Sequence, residues 1–447
     1  MTTQRRLIRR LAATGVIATL AVSLTACFGS SKGGANDDPN AKVTITFWHG
    51  WSAPNEVKAI QQTIDGFEKA NPNITVKAVG NITDDKINQA LRAGGPNAPD
   101  VVSSFTTDNV GEFCNSHVFV DLAPFMAKSG IDPEKTFPAP QLAYTAFQGD
   151  QCTLPLLSDA YGLYYNKDMF KAAGITSPPK TFSEFDADAV KLTKTSGDTY
   201  SQLGFMPLYH GYESTITHFA AQSSPTYFTA DGKSNVANDP PLTSTYEWQK
   251  SLVSKLGGYA KLDKYRTTFG DEFSNNNPFM TGQVAMALDG EWRGGMIDDS
   301  NSKVDYGVAP FPVPDDQADQ YGKGYITGTI VGIAQNSAKQ NAAWEFVKYL
   351  TTDTDAVVNF ANAIHNVPST NAALASPNLD QNPAFQTFIQ IAQNQYSNTT
   401  PSSPNGGAYQ LTLQNLGYGY ESGKVTDLQA GLDAAAKQID TDIAQAQ

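Results

Sequence analysis

Val43-Thr44-Ile45-Thr46-Phe47-Trp48 opens the stretch that decides the fold, which runs on to Val101-Val102. Val43, Ile45 and Phe47 alternate with Thr44, Thr46 and Trp48, the two-residue period of a strand. After a loop over 49–55, apolar residues fall at Val57, Ile60, Ile64 and Phe67, which is helical spacing. Ala70-Asn71-Pro72-Asn73 breaks that helix, and Ile74, Val76 and Ala78 resume a strand. Asp84 is placed to cap a second helix carrying Ile87, Ala90 and Leu91, which Gly94-Gly95-Pro96 ends. Val101-Val102 follows as a short buried strand. Strand, helix, strand, helix, strand predicts an α/β layer with a mostly parallel sheet.

The same alternation returns further on. Residues 163–165 read as a strand and 166–173 as a short helix closed by Gly174. Thr181 and Glu184 form a capping box that opens a helix through Leu192. Residues 284–288 read as a buried strand, and Ala343, Phe346, Val347 and Leu350 make one helical stripe. An Ala-rich helix covers 427–446. No internal repeat is obvious, and two α/β lobes fit a chain of 447 residues better than one oversized sheet.

Upstream of the first strand the pattern changes. Arg5, Arg6, Arg9 and Arg10 precede an uncharged apolar run over 11–24, which stops at Leu24-Thr25-Ala26-Cys27. That is the layout of a bacterial secretory signal, and the run is too short to span a bilayer as a helix. The ending resembles the lipobox of bacterial lipoproteins. The resemblance implies a signal peptide over 1–26 and a thioether-linked lipid on Cys27, the new N-terminus. Residues 30–40, rich in Gly, Ser, Asn and Asp, complete a flexible tether over 27–41. The expected location is the outer face of the cell membrane of a Gram-positive bacterium. Whole, the chain carries 31 basic and 44 acidic residues, a net charge of −13. Loss of the four signal arginines leaves 27 against 44, a net of −17. Nucleic acid and anionic lipid headgroups repel such a surface.

With Cys27 assigned to lipid, Cys114 and Cys152 are the only possible internal pair, either bridged, in a compartment where disulfides persist, or buried as two free thiols. The usual enzymatic signatures are missing. None of the five histidines has a second His or a Cys at metal-ligand spacing, and there is no G-x-S-x-G elbow. Gly232-Lys233-Ser234 has Tyr227 where a P-loop needs Gly, and Gly322-x-Gly324 meets Thr327 where a dinucleotide fingerprint needs Gly. No cofactor or metal is expected. What stands out is the placing of aromatics and carboxylates beside strand ends, where α/β sheets open their ligand crevice. Trp48-His49-Gly50-Trp51 follows the first strand, and Thr106, Asp108 and Asn109 follow Val102. Ser158-Asp159 precedes the strand at 163, and Asp289-Gly290-Glu291-Trp292-Arg293 follows the strand at 284–288. Flat C–H faces of a sugar stack on rings, and its vicinal hydroxyls donate to carboxylates. Trp or Tyr beside Asp, Glu or Asn is therefore what a carbohydrate cleft needs.

Three segments in order resemble the extracellular solute-binding proteins, family 1, of bacterial ABC importers, typified by maltose-binding protein. They are Leu154-Pro155 through Leu163-Tyr164-Tyr165-Asn166-Lys167-Asp168-Met169-Phe170, then Phe279-Met280-Thr281-Gly282-Gln283-Val284-Ala285-Met286 with Gly290-Glu291-Trp292, then Ala342-Ala343-Trp344-Glu345-Phe346-Val347-Lys348-Tyr349-Leu350. The resemblance implies a two-lobe α/β fold of the class II periplasmic-binding-protein type, with a ligand cleft between lobes joined by hinge crossings. It puts one lobe at 42–157 plus about 328–366 and the other at 158–327 plus about 367–447. Residue by residue, Trp292 matches a sugar-stacking aromatic or is a core Trp, and Asp159 matches a carboxylate near the crossing or is a turn Asp. Asp108 matches a polar ligand contact or is a simple loop Asp, and Tyr209 stands where the family often supplies a stacking aromatic. His49 and Trp51 fall in the first loop, beside a Trp48 that suits the core equally. Tyr325, Thr327 and Asn366 lie near the second and third crossings, as contacts or hinge residues. The Asn166-Lys167-Asp168 corner is structural in the family.

These features predict a monomeric, lipid-anchored binding protein that captures a di- or oligosaccharide and delivers it to an ABC permease, without catalysis. Within the same class, a binder of glycerol-3-phosphate or glycerophosphodiesters would need a basic residue in the cleft, and Arg293 is the only one in the expected loops. From other classes come a secreted glycosidase using Asp159 and Glu291, and a structural lipoprotein without a small ligand.

Overall fold

The structure is a computed structural model that describes residues 42–95, 98–300 and 302–446, so Cys27, the signal and the tether lie outside the described residues. Its first elements are β1 (Val43–Trp48), a helix at Pro54–Ala70, β2 (Ile74–Val79), a helix at Asp84–Ala93 and β3 (Val101–Ser104). The alternation read from the sequence is therefore present. Pro54 stands in the first turn of its helix, where a missing N–H is harmless, and Glu56 accepts the N–H of Ala53 at 3.0 Å. Ala59, Ile60, Ile64 and Phe67 bury one face against Ile45 and Phe47 of β1. Asp84 is not the cap of its helix. Thr83 takes the extended cap position, and Asp84 instead accepts the hydroxyl of Thr106 at 2.6 Å.

The longest strand is β4 (Leu154–Asn166), far longer than the expected 163–165. Pro155, Ser158, Asp159 and Gly162 interrupt its apolar pattern, yet only Asp159 and Tyr165 along it are more than slightly exposed. Asn166 ends it as a cap, accepting the N–H of Met169 at 3.0 Å to start the helix Lys167–Ala172. Gly174 follows at φ +65°, a left-handed position that suits glycine. Thr181 caps the helix Phe182–Leu192, while Glu184 reaches back to Lys180, one residue upstream of the expected box partner. The remaining strands are β5 (Lys194–Ser196), β6 (Thr199–Phe205), β7 (Val284–Gly290), β8 (Tyr306–Pro310), β9 (Ile326–Ile333) and β10 (Val367–Pro368).

The strands lie in the order β2-β1-β3-β9-β4-β7-β6-β5, with β10 and β8 also paired to β4. The sheet is not mostly parallel. Only β1–β2, β1–β3 and β6–β7 pair in parallel; the pairs that β4 and β9 make are antiparallel. The reason is that β9 and β4 run between the two halves, so neither is the product of a one-sided helical crossover. Along β4, the residues from Leu154 to Ala160 pair with β9, and those from Tyr161 onward with β7 and β8. One strand thus belongs to both lobes, and it changes partners between Ala160 and Tyr161.

Buried apolar side chains gather in two clusters. Ile45, Phe47, Trp51, Trp344, Phe346 and Leu350 pack in one; Leu163, Phe185, Leu203, Phe219 and Met286 in the other. The helix Gln340–Thr352 buries the expected stripe, and Leu428–Ala446 buries Leu432, Ala435, Ile439 and Ile443. Cys114 and Cys152 are joined as a disulfide that ties the helix Val110–Asn115 to the approach to β4. Among the described residues, no helix is long and apolar enough to cross a membrane.

Candidate functional site

Where β4 changes partners, its register fixes which side chains meet. Asp159 lies directly opposite Thr327 on β9, and the Tyr161 N–H donates to the Tyr325 carbonyl at 3.3 Å. Residues two apart on a strand share a face, and directly opposed residues share it too. Asp159, Tyr161, Tyr325 and Thr327 therefore stand on one face. Trp292 opens the helix Trp292–Asp299 just past β7, whose Gly290 pairs with Tyr161. Its ring meets Tyr161 edge-on at 5.6 Å. A Cβ on Gly290 would sit 2.2 Å from that ring, so only glycine lets the indole fold back over the strand end. His218, on a helix (Ile216–Ala220) capped by Thr215, completes the group at 4.3 Å from Tyr161 and 4.6 Å from Tyr325. Three aromatic side chains and an imidazole thus gather at the junction, with Trp292 half-buried.

A polar layer adjoins them. The Asn366 amide donates to Asp159 Oδ1 at 2.7 Å and to Glu291 Oε1 at 2.9 Å. Glu291 also accepts the N–H groups of Ala160 (3.0 Å) and Val367 (3.4 Å) and is 3% exposed. It ties the first crossing, at Ala160, to the third, at Val367. Burial pushes the Asp159 carboxyl up to about 7, against the pull of its bonds to Asn366 and Glu291. Burial, then the charge of Asp159, raises Glu291 as well. Asp159 is half-buried, whereas Glu291 is buried.

Asp108 enters from the short helical turn Thr107–Asn109. Its Oδ1 accepts from the Gln410 amide at 2.5 Å; that amide also reaches Thr400, whose hydroxyl lies 2.9 Å from the Tyr325 hydroxyl. Thr107 meets Thr327, hydroxyl to hydroxyl, at 2.8 Å. Gln410 lies in the helix Ala408–Glu421, packed on the far lobe through the bond from the Tyr246 hydroxyl to the Leu413 carbonyl. Asp108 therefore sits where the two lobes touch. Burial pushes its carboxyl up to about 6.

Six of the ten expected ligand residues come together here: Asp159, Glu291, Trp292, Tyr325, Thr327 and Asn366, with Asp108 joined to them through Gln410 and Thr400. Three do not. His49 is 3% exposed and tilted against Phe47 and Trp51 at 5.3 and 5.4 Å. Burial lowers its pKa to about 4, so it is a neutral core imidazole. Trp51 is 2% exposed and packs edge-on to Phe360 at 5.1 Å, since burying that ring releases more water than exposing it in the loop would. Tyr209 is 2% exposed among Phe219 and Tyr246, and its hydroxyl has no partner. Tyr161, His218 and Gln410 escaped sequence reading. Tyr161 was within reach, because it lies two residues after Asp159 on an extended segment. His218 and Gln410 carry no local signal and arrive only through tertiary packing.

Comparison with known proteins follows the same lines. The model of the bacterial extracellular solute-binding proteins matches residues 53–357. The chain is 23% identical over 369 residues to the maltotriose-binding protein of Pyrococcus abyssi, covering 81% of this chain and 74% of that protein. It is 24% identical over 436 residues to the maltodextrin-binding protein of Bacillus subtilis, covering 93% of each. Among solved structures it resembles a protein with mannotriose bound, with a TM-score of 0.74 at 25% identity over 89% of this chain and 99% of the other. It also shares its fold with the sugar-binding protein MalE of Xanthomonas citri, with a TM-score of 0.74 at 19% identity over 90% of this chain and 98% of the other.

Proposed function

The chain belongs to the bacterial extracellular solute-binding protein family, and from that premise we propose that it captures a carbohydrate between its lobes and delivers it to an ABC permease. The observation that carries the ligand class is the gathering of Tyr161, Trp292 and Tyr325 beside the half-buried Asp159, with Asn366 holding the carboxyl in place. Sugar-binding relatives and a mannotriose-bound structural neighbour support the same reading. Capture works by hinge closure: a ligand touching both lobes favours the closed state by its differential affinity for it. We keep the lobe boundaries near 327–328 and 366–367 and move the first from 157–158 to Ala160–Tyr161, where β4 changes partners. Cys27 carries a lipid that holds the monomeric receptor at the outer face of a Gram-positive cell membrane, next to its permease.

Two rivals fit less well. A glycosidase needs a free carboxyl pair, but both oxygens of Glu291 are taken by Asn366 and two backbone N–H groups. A glycerol phosphate binder needs a free cation, but Arg293 is fully buried and donates to Asp289 at 2.6 Å. A thermal-shift screen of the protein from Cys27 onward, with mono-, di- and oligosaccharides and glycerol phosphates, tests the proposal. A cognate sugar at a hundredfold excess over its Kd adds about 2.7 kcal/mol of stability. No shift with any sugar, or release of hydrolysed product, overturns it.

A further inference from the structure

Met296 stands four residues after Trp292 in the helix Trp292–Asp299, one turn along the same face. Gly294 and Gly295 lie between them, so this turn is a soft one. The Met296 sulfur accepts a hydrogen bond from Arg293 Nη1 at 3.3 Å, and the same nitrogen lies 3.8 Å from the sulfur of Met280. Among the described residues, these are the methionine sulfurs that take a hydrogen bond. Met126, Met206, Met280 and Met286 are buried, while Met169 and Met296 are half-buried. We propose that Met296 is a site of reversible oxidation by peroxides, promoted by Arg293, and that its sulfoxide weakens ligand capture. The oxidation site stands on the chain alone; the effect on capture rests on the carbohydrate reading above.

Arg293 is fully buried, and its ion pair with Asp289 uses Nε. Its Nη1 meets only thioether sulfurs, which are weak acceptors, and its Nη2 is buried with no partner. A buried cation with an unused donor is costly and marks a place that lacks an acceptor. The exposed ring of Phe273 lies 5.9 Å from the guanidinium carbon, so the cation stands just beneath the surface. A sulfoxide oxygen on Met296, one bond from a sulfur already touching the guanidinium, supplies a strong acceptor there. In the reaction, a sulfur lone pair attacks one oxygen of hydrogen peroxide. The S–O bond forms, the O–O bond breaks, and the two electrons lost by sulfur reduce the peroxide. The proton of the attacked oxygen passes to the departing hydroxide, which leaves as water. Negative charge gathers on the oxygens as their bond breaks, and a fixed guanidinium stabilises it. Met280 has the same cation but is buried. The product turns a flexible apolar side chain into a polar one. Drawn onto Arg293, it reseats the soft turn that aims the indole of Trp292 at Tyr161.

Dilute hydrogen peroxide followed by peptide mass spectrometry tests the site in the protein from Cys27 onward. Met296 should convert first, about fivefold or more faster than Met169, whose burial is similar. An equal or slower rate overturns the proposal. Tryptophan emission of the ligand-free protein should shift as Met296 converts, and a methionine sulfoxide reductase should reverse both changes. Emission that holds through full conversion, or a sulfoxide that the reductase leaves in place, overturns it too. Calorimetry then uses the sugar that raises the melting curve most in the screen above, with maltotriose and mannotriose included. Oxidised wild type should bind it about fivefold or more weakly, while Met296→Leu given the same peroxide keeps its affinity. Equal loss in both, or no loss in wild type, overturns the effect on capture and leaves the carbohydrate reading standing. If Met296→Leu does not fold, the rate comparison and the reductase reversal still decide. Failure of every sugar to bind overturns the carbohydrate reading and the effect on capture together, while the rates and the emission still decide the oxidation site.

Discussion

Asp159 combines two properties that pull against each other: it faces the junction, and its surroundings disfavour its charge. With a folded-state pKa pushed up to about 7 from 3.8, the folded protein keeps a proton that the unfolded chain has released. Stability therefore falls as pH rises through that window, because the folded state binds more protons than the unfolded one. Asp159→Asn removes this term. Urea midpoints should show the variant gaining on wild type from about pH 4 to pH 7 while losing sugar affinity; a gap that does not change with pH would show that the carboxyl is not raised. Trp292→Ala should cost about 2 kcal/mol of sugar affinity, roughly 30-fold, as expected when a central aromatic anchor is truncated. Tyr209→Phe is the control. Its hydroxyl is buried without a partner, so calorimetry should find affinity unchanged and stability equal or up by about 1 kcal/mol. A loss of affinity there would put Tyr209 back among the ligand contacts.

Among the elements, β4 is the one on which site and fold both depend. Its first half shares a lobe with β9 and its second with β7, so any shift in its register moves Asp159 and Tyr161 together. The Cys114–Cys152 bridge holds the entry to this strand and closes a loop of 38 residues. In the chain-entropy model a loop of that length is worth about 4 kcal/mol. Reduction should lower the unfolding free energy by up to that amount; an unchanged value would mean the bridge constrains nothing that packing does not already hold. Helix entries were more legible than strand partners. Thr181 acts within three residues of itself and was read as a cap, although the loop read over 49–55 hid the Pro54 entry and Thr83 displaced Asp84 as cap, whereas the pairing of β4 with β9 joins positions more than 150 residues apart.

At the scale of the molecule, the question is which contacts exist only when the lobes are closed. The helix Val110–Asn115 of one lobe meets the segment leading into Ala408–Glu421 of the other, and a Cβ on Gly111 would fall 2.0 Å from the Ser403 carbonyl oxygen. No rotamer relieves a clash with backbone. Gly111→Ala should penalise the closed state, lowering sugar affinity about tenfold, or 1.4 kcal/mol, with little change in the melting temperature of the ligand-free protein. Small-angle scattering at saturating sugar should show less compaction than wild type. If the ligand-free melting temperature drops instead and affinity holds, the contact is permanent and not part of closure.

Local chemistry in the chain determined the α/β alternation, the helix entries and the carboxylate and tryptophan at Asp159 and Trp292, because period, capping and composition act over a few residues. Thr327 and Asn366 came from the family resemblance and not from local chemistry. Only the tertiary structure decided that the central strands are antiparallel, that Asp159 faces Thr327, and that His218 and Gln410 join the site from distant helices. It also sent His49, Trp51 and Tyr209 inward. A ring in a loop looks the same in sequence whether it meets a ligand or a core, and only the neighbours that fold brings to it settle which surface it buries.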